Sequence, residues 1–466
     1  MIKVKFLGAA RNVTGSRHLI EHNEVRILVD CGLYQEREFR SRNWEKFPIS
    51  PSSIDCVVLT HAHIDHCGYL PKLVNDGFKG KIYCTHPTAE IAEIALLDAA
   101  QLQEYDAEFK RKRHIKEGRK GSYPEAPLYT VEDAKRVPLL FKKVHYKEKF
   151  NITKNITGTF YDAGHILGAA MAELSFIEGN DVKRAVFSGD IGRWDKPILC
   201  DPHMFNEADY VFMESTYGNR SHGDSGTCSQ DLSKIINETD KRGGNILIPT
   251  FAIERAQELL YCMSRLLKND EIPSLMTFLD SPMAIDVTKV FKKYPNYFDE
   301  EAKALIEKGD ELFNSPLLKT TQSAQESRAI NHVKGTAIIM AGSGMCTGGR
   351  IKHHLLRNLN RPESTILFVG YQAKGTLGRE ILGRPSKVRV LGQNVSVRAR
   401  VEKINGFSAH ADREELLRWV AGFKKPPKKV FVIHGEDTTA EEFGETLRGK
   451  LTSEIIVGEY LKEYVL

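Results

Sequence analysis

The stretch Thr60-His61-Ala62-His63-Ile64-Asp65-His66 decides the fold of this chain, because it places three imidazoles and a carboxylate within six consecutive positions. Imidazole nitrogens and carboxylate oxygens are the usual ligands of zinc and similar divalent ions. Residues 55–59 before the cluster are typical of a short buried strand, and residues 67–74 after it are typical of a turn that enters a helix. The sequence therefore predicts a metal site on a strand-to-helix loop, where functional residues are commonly found.

Composition restricts the class of protein. A length of 466 residues favours two domains, and 41% hydrophobic with 27% charged residues is typical of a globular chain. The net charge of +5 is compatible with a polyanionic substrate but does not indicate one. The sequence shows no signal peptide and no membrane span, and its eight cysteines include no C-x-x-C pair. We therefore expect a cytoplasmic protein with mostly buried thiols.

The order of predicted elements indicates an inserted domain. Short strands separated by polar turns extend to about residue 215, and alternating apolar strands and long helices then favour a parallel α/β domain over residues 216–395. Strand-and-loop structure returns over residues 396–466, so we assign residues 1–215 and 396–466 to one domain. The basic run Lys110–His114, followed by Lys116, Arg119 and Lys120, is interpreted as a solvated helix face, with a backbone-phosphate contact as the alternative.

Further metal ligands are expected from other loops, because four residues of one loop cannot all hold a single ion with good geometry. His165 and Asp190 each follow a predicted strand and stand next to glycines, which permit tight turns. Together with the first cluster they would supply the missing ligands for two metals. Asp30 ends another strand, and we expect it to orient a ligand histidine, although a plain turn carboxylate is an equal alternative.

In this order, the strand-end Asp30, the H-x-H-x-D-H cluster, and the G-H and G-D elements resemble the four motifs of the metallo-β-lactamase superfamily. The resemblance implies an αββα sandwich that holds two zinc ions at one edge of its sheets. It implies one zinc bound by His61, His63 and His165, a second bound by Asp65 and His66, and Asp190 as the bridge between them.

Three more stretches resemble the extra motifs of the β-CASP group, whose members cut nucleic acids. They are Met213–Gly218 with Glu214, Phe407–Asp412 with His410, and Val432–Glu436 with His434. The resemblance extends over essentially the whole chain, and it implies that residues 216–395 form the inserted parallel α/β β-CASP domain. RNA-directed members carry histidine in the third motif, where DNA-repair members typically carry valine. His434 therefore favours RNA, and it would complete the shell of the second metal.

The family so identified implies a zinc-dependent ribonuclease that acts in RNA processing or decay. A hydroxide activated by two zinc ions would attack a single-stranded RNA phosphodiester, with Asp65 and Asp190 acting through the metals. His410 would protonate the leaving oxygen, and Glu214 would keep its imidazole charged and oriented.

Phosphate contacts are expected in the inserted domain, which should close over the metals and leave a cleft for one RNA strand. The loop Gly342–Gly349 precedes a predicted helix, so Ser343 and Gly344 are candidates to cradle a phosphate, although a tight turn without ligand explains the loop equally well. Arg255 and Lys374 are further phosphate candidates, although such charges are usually only solvated.

Three alternatives stay open from the sequence. They are a DNA nuclease of the same group, a hydrolase of small thioesters or lactams, and a non-catalytic scaffold. A scaffold would be expected to have lost metal ligands. The mode of cutting, the RNA sequence preference and a homodimeric state are also left open.

Overall fold

The computed structural model describes residues 1–118, 125–221, 228–373 and 375–466. The chain divides into two compact units, here called unit 1 (Met1–Ser221 with His410–Leu466) and unit 2 (His222–Ala409). Arg119 and Lys120 of the basic run, and the phosphate candidate Lys374, lie outside the described residues.

The strands are, in chain order, β1 (Ile2–Gly8), β2 (Arg17–His22), β3 (Val25–Val29), β4 (Cys56–Val58), β5 (Lys81–Thr85), β6 (Phe141–Val144), β7 (Lys149–Asn151), β8 (Ile156–Asp162), β9 (Ala170–Glu178), β10 (Asp181–Phe187), β11 (Tyr210–Glu214), β12 (Ile246–Pro249), β13 (Met276–Asp280), β14 (Leu318–Thr320), β15 (Ala337–Ala341), β16 (Thr365–Phe368), β17 (Lys387–Val390), β18 (Gln393–Ser396), β19 (Arg400–Lys403), β20 (Lys429–Ile433), β21 (Glu454–Val457) and β22 (Glu463–Val465).

The α-helices are, in chain order, α1 (Ile64–Cys67), α2 (Leu70–Asn75), α3 (His86–Glu117), α4 (Val131–Ala134), α5 (Cys228–Lys241), α6 (Arg255–Lys268), α7 (Pro282–Lys293), α8 (Glu300–Glu307), α9 (Ala324–Ala329), α10 (Ile351–Asn358), α11 (Leu377–Leu382), α12 (Arg413–Ala421) and α13 (Asp437–Arg448). Within the described ranges, no helix is long and apolar enough to cross a membrane.

Unit 1 contains two seven-stranded sheets, with strand orders β22-β1-β2-β3-β4-β5-β6 and β21-β20-β11-β10-β9-β8-β7. In the second sheet β10, β11, β20 and β21 pair in parallel, so their carboxyl ends lie at one edge. The register places Glu214 of β11 opposite Ile433 of β20, one residue before His434. Residues more than 200 positions apart in the sequence are thereby brought to the same sheet edge.

Aromatic side chains join the two sheets of unit 1 into one core. Phe6 of the first sheet packs against Phe212 of the second, with ring centroids 6.2 Å apart, and Phe212 stacks on Phe187 at 4.1 Å. Helix α3 contacts β5 and β6, whereas α13 contacts β20 and β21, so each sheet has a helix against it. These layers confirm the predicted αββα sandwich.

Unit 2 is built around a six-stranded parallel sheet with the order β14-β13-β15-β12-β16-β19. Its central strands β12 and β15 are buried along their whole length, as expected for a parallel sheet that is covered on both faces. The predicted parallel α/β domain is therefore confirmed. Strand β19 pairs with β16, so residues up to Ala409 belong to unit 2, although the sequence division placed residues 396–466 in the first domain.

Candidate metal centre

Loops at the strand ends of unit 1 converge on one cluster of imidazoles and carboxylates. His61 and His63 lie between β4 and α1, and His165 lies in the turn between β8 and β9. Asp190 follows β10, and His434 follows β20. The strand ends of both sheets therefore supply the side chains of a single site.

The first group consists of His61, His63, His165 and Asp190, whose ligand atoms all lie within 4.8 Å of one another. His63 Nδ1 is 3.1 Å from His61 Nε2 and 3.2 Å from His165 Nε2. Asp190 Oδ2 is 3.4 Å from His61 Nε2 and 3.5 Å from His165 Nε2. Tetrahedral zinc with bonds of about 2.05 Å separates its ligand atoms by about 3.3 Å, so this donor set fits such an ion.

The second group consists of Asp65, His66 and His434. His66 Nε2 is 3.0 Å from His434 Nε2, and His434 Nε2 is 3.6 Å from Asp65 Oδ2. Asp190 also faces this group, because its Oδ1 lies 3.2 Å from His66 Nε2. The two oxygens of one carboxylate thus point toward two different groups of ligand atoms.

Asp190 Oδ1 is buried and has no hydrogen-bond partner among the described residues. A buried carboxylate oxygen without a donor is costly, and a bound cation is one way to satisfy it. His61 Nε2 lies 3.1 Å from His63 Nδ1, and His66 Nε2 lies 3.0 Å from His434 Nε2, distances at which two nitrogen lone pairs would repel each other. The donor set therefore fits divalent cations at both groups.

The pKa values describe the same electrostatics. Burial and the neighbouring His61 lower the pKa of His63 to about 3, which keeps its imidazole neutral and able to bind a metal. Burial alone would lower the pKa of His66, but Asp190 and Asp30 outweigh burial and raise it well above its usual value. The carboxylates around His66 thus favour positive charge at the second group, which a bound cation would also supply.

Neighbouring side chains hold the imidazoles in place. Asp30 Oδ2 lies 2.8 Å from His66 Nδ1, and Asp30 Oδ1 accepts the Thr60 N–H at 2.8 Å. Asp30 thus makes the contact expected of an orienting acceptor, one of the two roles that the sequence left open, and it occupies the left-handed region with φ of +60°. Thr60 Oγ1 lies 3.1 Å from His61 Nδ1, and Thr216 Oγ1 lies 3.2 Å from His434 Nδ1.

Thr60 and Thr216 were not predicted from the sequence. Both stand beside predicted site residues, but nothing in the residue type distinguishes a threonine that orients an imidazole from one that caps a turn.

His410 and Glu214 form a pair beside the first group. His410 Nδ1 is 3.4 Å from Glu214 Oε1 and 3.8 Å from Asp190 Oδ2, and its ring lies 4.5 Å from the His165 ring. Glu214 is fully buried, and its Oε1 accepts the Ile191 N–H at 2.6 Å. Burial alone would lower the pKa of His410, but Glu214 and Asp190 raise it to about 9. The Glu214 and Asp190 carboxylates therefore favour the protonated form of His410.

The backbone near His410 is fixed to the loop that carries Asp190. Ala411 N donates to Ile191 O at 2.8 Å, and His410 forms an isolated bridge with Gly192. Glu415 in the first turn of α12 accepts from Trp194 N at 3.2 Å and lies 3.2 Å from Arg193 Nε. These contacts hold the His410 backbone beside the loop that carries Asp190.

The predicted phosphate contacts lie in unit 2, and two of them have internal partners. Arg255 is buried, forms an ion pair with Glu258, and its guanidinium lies 5.7 Å from the centre of the Phe407 ring. These contacts argue against a phosphate role for Arg255. The Ser343 N–H donates to Gly348 O, and its hydroxyl accepts from Gly348 N at 3.2 Å, so the loop Gly342–Gly349 closes on itself. Gly344 O also has an internal partner, since it accepts from Gln372 Nε2 at 3.0 Å, but that contact does not involve the N–H group that a phosphate would need.

Three stretches of the chain match known domain families. Residues 19–179 match the "Metallo-beta-lactamase superfamily domain", and residues 256–381 match the "Beta-Casp domain". Residues 394–457, which include His410 and His434, match the "Zn-dependent metallo-hydrolase RNA specificity domain". The order of the three matches is the order that the sequence motifs predicted.

Full-length relatives agree with these matches. The chain is 37% identical to Ribonuclease TTHA0252 of Thermus thermophilus, over 97% of this chain and 98% of the relative. It is 31% identical to the RNase J-like protein of Methanocaldococcus jannaschii, over 96% of each chain. Transcription termination factor FttA of the same organism is 32% identical. That match includes 96% of this chain and 69% of the longer FttA protein.

Among solved structures, the crystal structure of a protein of unknown function from Enterococcus faecalis V583 superposes with a TM-score of 0.56, at 13% identity and over the full length of both chains. That likeness bears on the fold alone. The domain matches and the relatives together identify this chain as a hydrolytic metallo-nuclease, and it belongs to the β-CASP ribonucleases of the metallo-β-lactamase superfamily.

Proposed function

We propose that this protein hydrolyses phosphodiester bonds of single-stranded RNA in RNA processing or decay, and that it does so with two bound zinc ions. The observation that carries the proposal is the pair of ligand groups that share the Asp190 carboxylate. A shared carboxylate between two nitrogen-rich groups is suited to a two-metal hydrolase.

The residues that would hold each ion follow from the contacts. His61, His63, His165 and Asp190 Oδ2 would hold one ion, and Asp65, His66, His434 and Asp190 Oδ1 would hold the other. Imidazole donors favour zinc over magnesium, which prefers oxygen ligands. When bound, the two ions supply positive charge for the scissile phosphate and acidify a water molecule.

His410 would supply the proton that the leaving oxygen needs. Its Nδ1 faces Glu214, so its Nε2 is the nitrogen that would deliver the proton. Glu214 stabilises the imidazolium form and, through its bond from the Ile191 N–H, is itself fixed in place. A proton donor with a raised pKa stays charged at neutral pH until the leaving oxygen develops negative charge.

RNA is the favoured substrate for two reasons. The stretch that contains His410 and His434 matches a family described as an RNA specificity domain. A relative that is 37% identical is named a ribonuclease.

The experiment combines metal analysis with digestion of end-labelled RNA by the purified protein. We expect two zinc ions per chain and cleavage of single-stranded RNA with little cleavage of the matching DNA. Asp190→Asn should lose both zinc and cleavage, whereas Glu24→Gln, which changes an exposed turn residue of unit 1, should leave both unchanged. Faster cleavage of DNA, or faster turnover of a chromogenic lactam or thioester, would instead support one of the alternative substrates.

His410→Ala separates the proton donor from the metal site. The imidazole is absent from both ligand groups, so zinc content should stay at the wild-type value while RNA cleavage slows by roughly 100-fold or more. Wild-type cleavage rates in this variant would refute the proton-donor role without affecting the assignment of the metal ligands.

A further inference from the structure

Two exposed aromatic side chains lie at one edge of the parallel sheet of unit 2. Phe251 follows β12 and Tyr371 follows β16, and these two strands are parallel neighbours. Each residue is 43% exposed. A single exposed aromatic residue needs no explanation, but two of them at the carboxyl edge of a parallel sheet occupy the position where open α/β sheets bind ligands.

Phe251 packs against the backbone of the Gly342–Gly349 loop. A Cβ added at Gly344 would lie 2.7 Å from two carbons of the Phe251 ring, so only glycine lets the ring approach this closely. A Cβ added at Gly370, the residue before Tyr371, would lie 3.8 Å from the same ring. The loops after β12, β15 and β16 therefore meet around one aromatic ring.

Gln372 fastens two of these loops together. It is 2% exposed, and its Nε2 donates to Gly344 O at 3.0 Å and lies 3.4 Å from Gly370 O. The loop of Phe251 is tied to the same edge, because Thr250 N donates to Ala341 O at 3.1 Å. The aromatic side chains thus belong to loops that are joined by hydrogen bonds. This restraint reduces the entropy that the loops lose when a ligand binds.

We propose that Phe251 and Tyr371 form a stacking platform for unpaired bases of the RNA substrate. This inference rests on the proposed function and adds to it a base-binding site in unit 2. Aromatic rings bind bases of any sequence, because every base presents a π-face. Paired bases keep their faces inside the duplex stack, so the platform also selects single strands.

The test compares KM and kcat of the zinc-loaded enzyme for a short single-stranded RNA and for the same RNA with abasic nucleotides. Phe251→Leu and Tyr371→Leu keep an apolar side chain but remove the flat ring. Each should raise KM for intact RNA by roughly 5-fold or more with little change in kcat. The penalty should disappear on RNA that is abasic at the nucleotides that stack.

Tyr105→Leu is the matched control, because Tyr105 is an exposed aromatic residue on α3 of unit 1, outside the platform, and its KM should not change. Equal KM values for wild type and both platform variants on intact RNA would overturn the inference. The inference would also be overturned if the variants raised KM by the same factor on intact and on abasic RNA, because that result would indicate a structural role for the two rings. Failure of the wild-type protein to cut RNA would instead refute the proposed function itself.

Discussion

Asp30→Asn is a substitution that should weaken one metal site and spare the other. Asp30 Oδ2 lies 2.8 Å from His66 Nδ1, which fixes the imidazole with its proton on Nδ1 and its Nε2 lone pair toward the second ligand group. The Thr60 N–H occupies the other carboxylate oxygen at 2.8 Å. An asparagine cannot accept from both, so either its amide faces His66 Nδ1 or the Thr60 N–H loses its acceptor.

The magnitude follows from the bond that is lost. A hydrogen bond to a charged group contributes about 1.5–3 kcal/mol, which corresponds to an affinity loss of about 10- to 150-fold. Loss of a partner that orients a metal-binding imidazole has effects of about the same size. His61 contacts Asp30 through the Thr60 hydroxyl, which lies 3.0 Å from Asp30 Oδ1 and 3.1 Å from His61 Nδ1, rather than directly, so the first site should lose less.

Zinc competition with a chromogenic chelator measures both affinities in one titration. The wild type should resist the chelator at both sites, whereas Asp30→Asn should release one ion at a chelator concentration about 10- to 150-fold lower. Asp55→Asn is the control, because Asp55 is an exposed aspartate before β4 that accepts the Arg26 N–H and does not belong to either ligand group. Equal loss at both sites, or no loss at either, would refute the orienting role of Asp30.

Three further predictions address protonation and folding. Burial alone would lower the pKa of His410, but Glu214 and Asp190 raise it to about 9, so Glu214→Gln should lower the pH at which kcat falls by at least about one unit. Burial lowers the pKa of His18 from 6.5 to about 3, so this imidazole stays neutral in the folded protein while it binds a proton in the unfolded chain. The free energy of unfolding therefore decreases as pH falls from 6.5 toward 3. Chemical denaturation should show a loss between pH 7 and pH 5 that is about 2 kcal/mol smaller in His18→Phe. Removal of zinc with a chelator should lower the unfolding temperature in calorimetry, since ligand at about a thousand times its Kd stabilises a protein by about 4 kcal/mol, and added zinc should restore it.

The sequence predicted the layers of the fold because the motifs lie at the ends of strands. His165 and Asp190 each stand next to a glycine, three residues after the last residue of a strand, and this local pattern is visible in the sequence. The return of the chain to unit 1 was less well predicted, because strand β19 resembles the strands on either side of the boundary. Only its pairing with β16 assigns it to unit 2, and pairing is a long-range property.

The contacts around the site depended on tertiary packing. The sequence left the role of Asp30 undecided between a turn carboxylate and an orienting acceptor, and the contact with His66 arises from residues 36 positions apart. The internal partner of Arg255 had a local signal, because Glu258 stands three positions later on the same helix, a spacing at which ion pairs form. Phe251 and Tyr371 gave no signal, since their proximity follows from the order of strands in the sheet.

Anomalous diffraction at the zinc edge from crystals of the purified protein tests the central claim most directly. Two peaks should appear on opposite sides of the Asp190 carboxylate, one among His61, His63 and His165, and the other beside His66 and His434. Absence of both peaks after incubation with zinc, or metal bound away from Asp190, would contradict a two-metal ribonuclease built on these side chains.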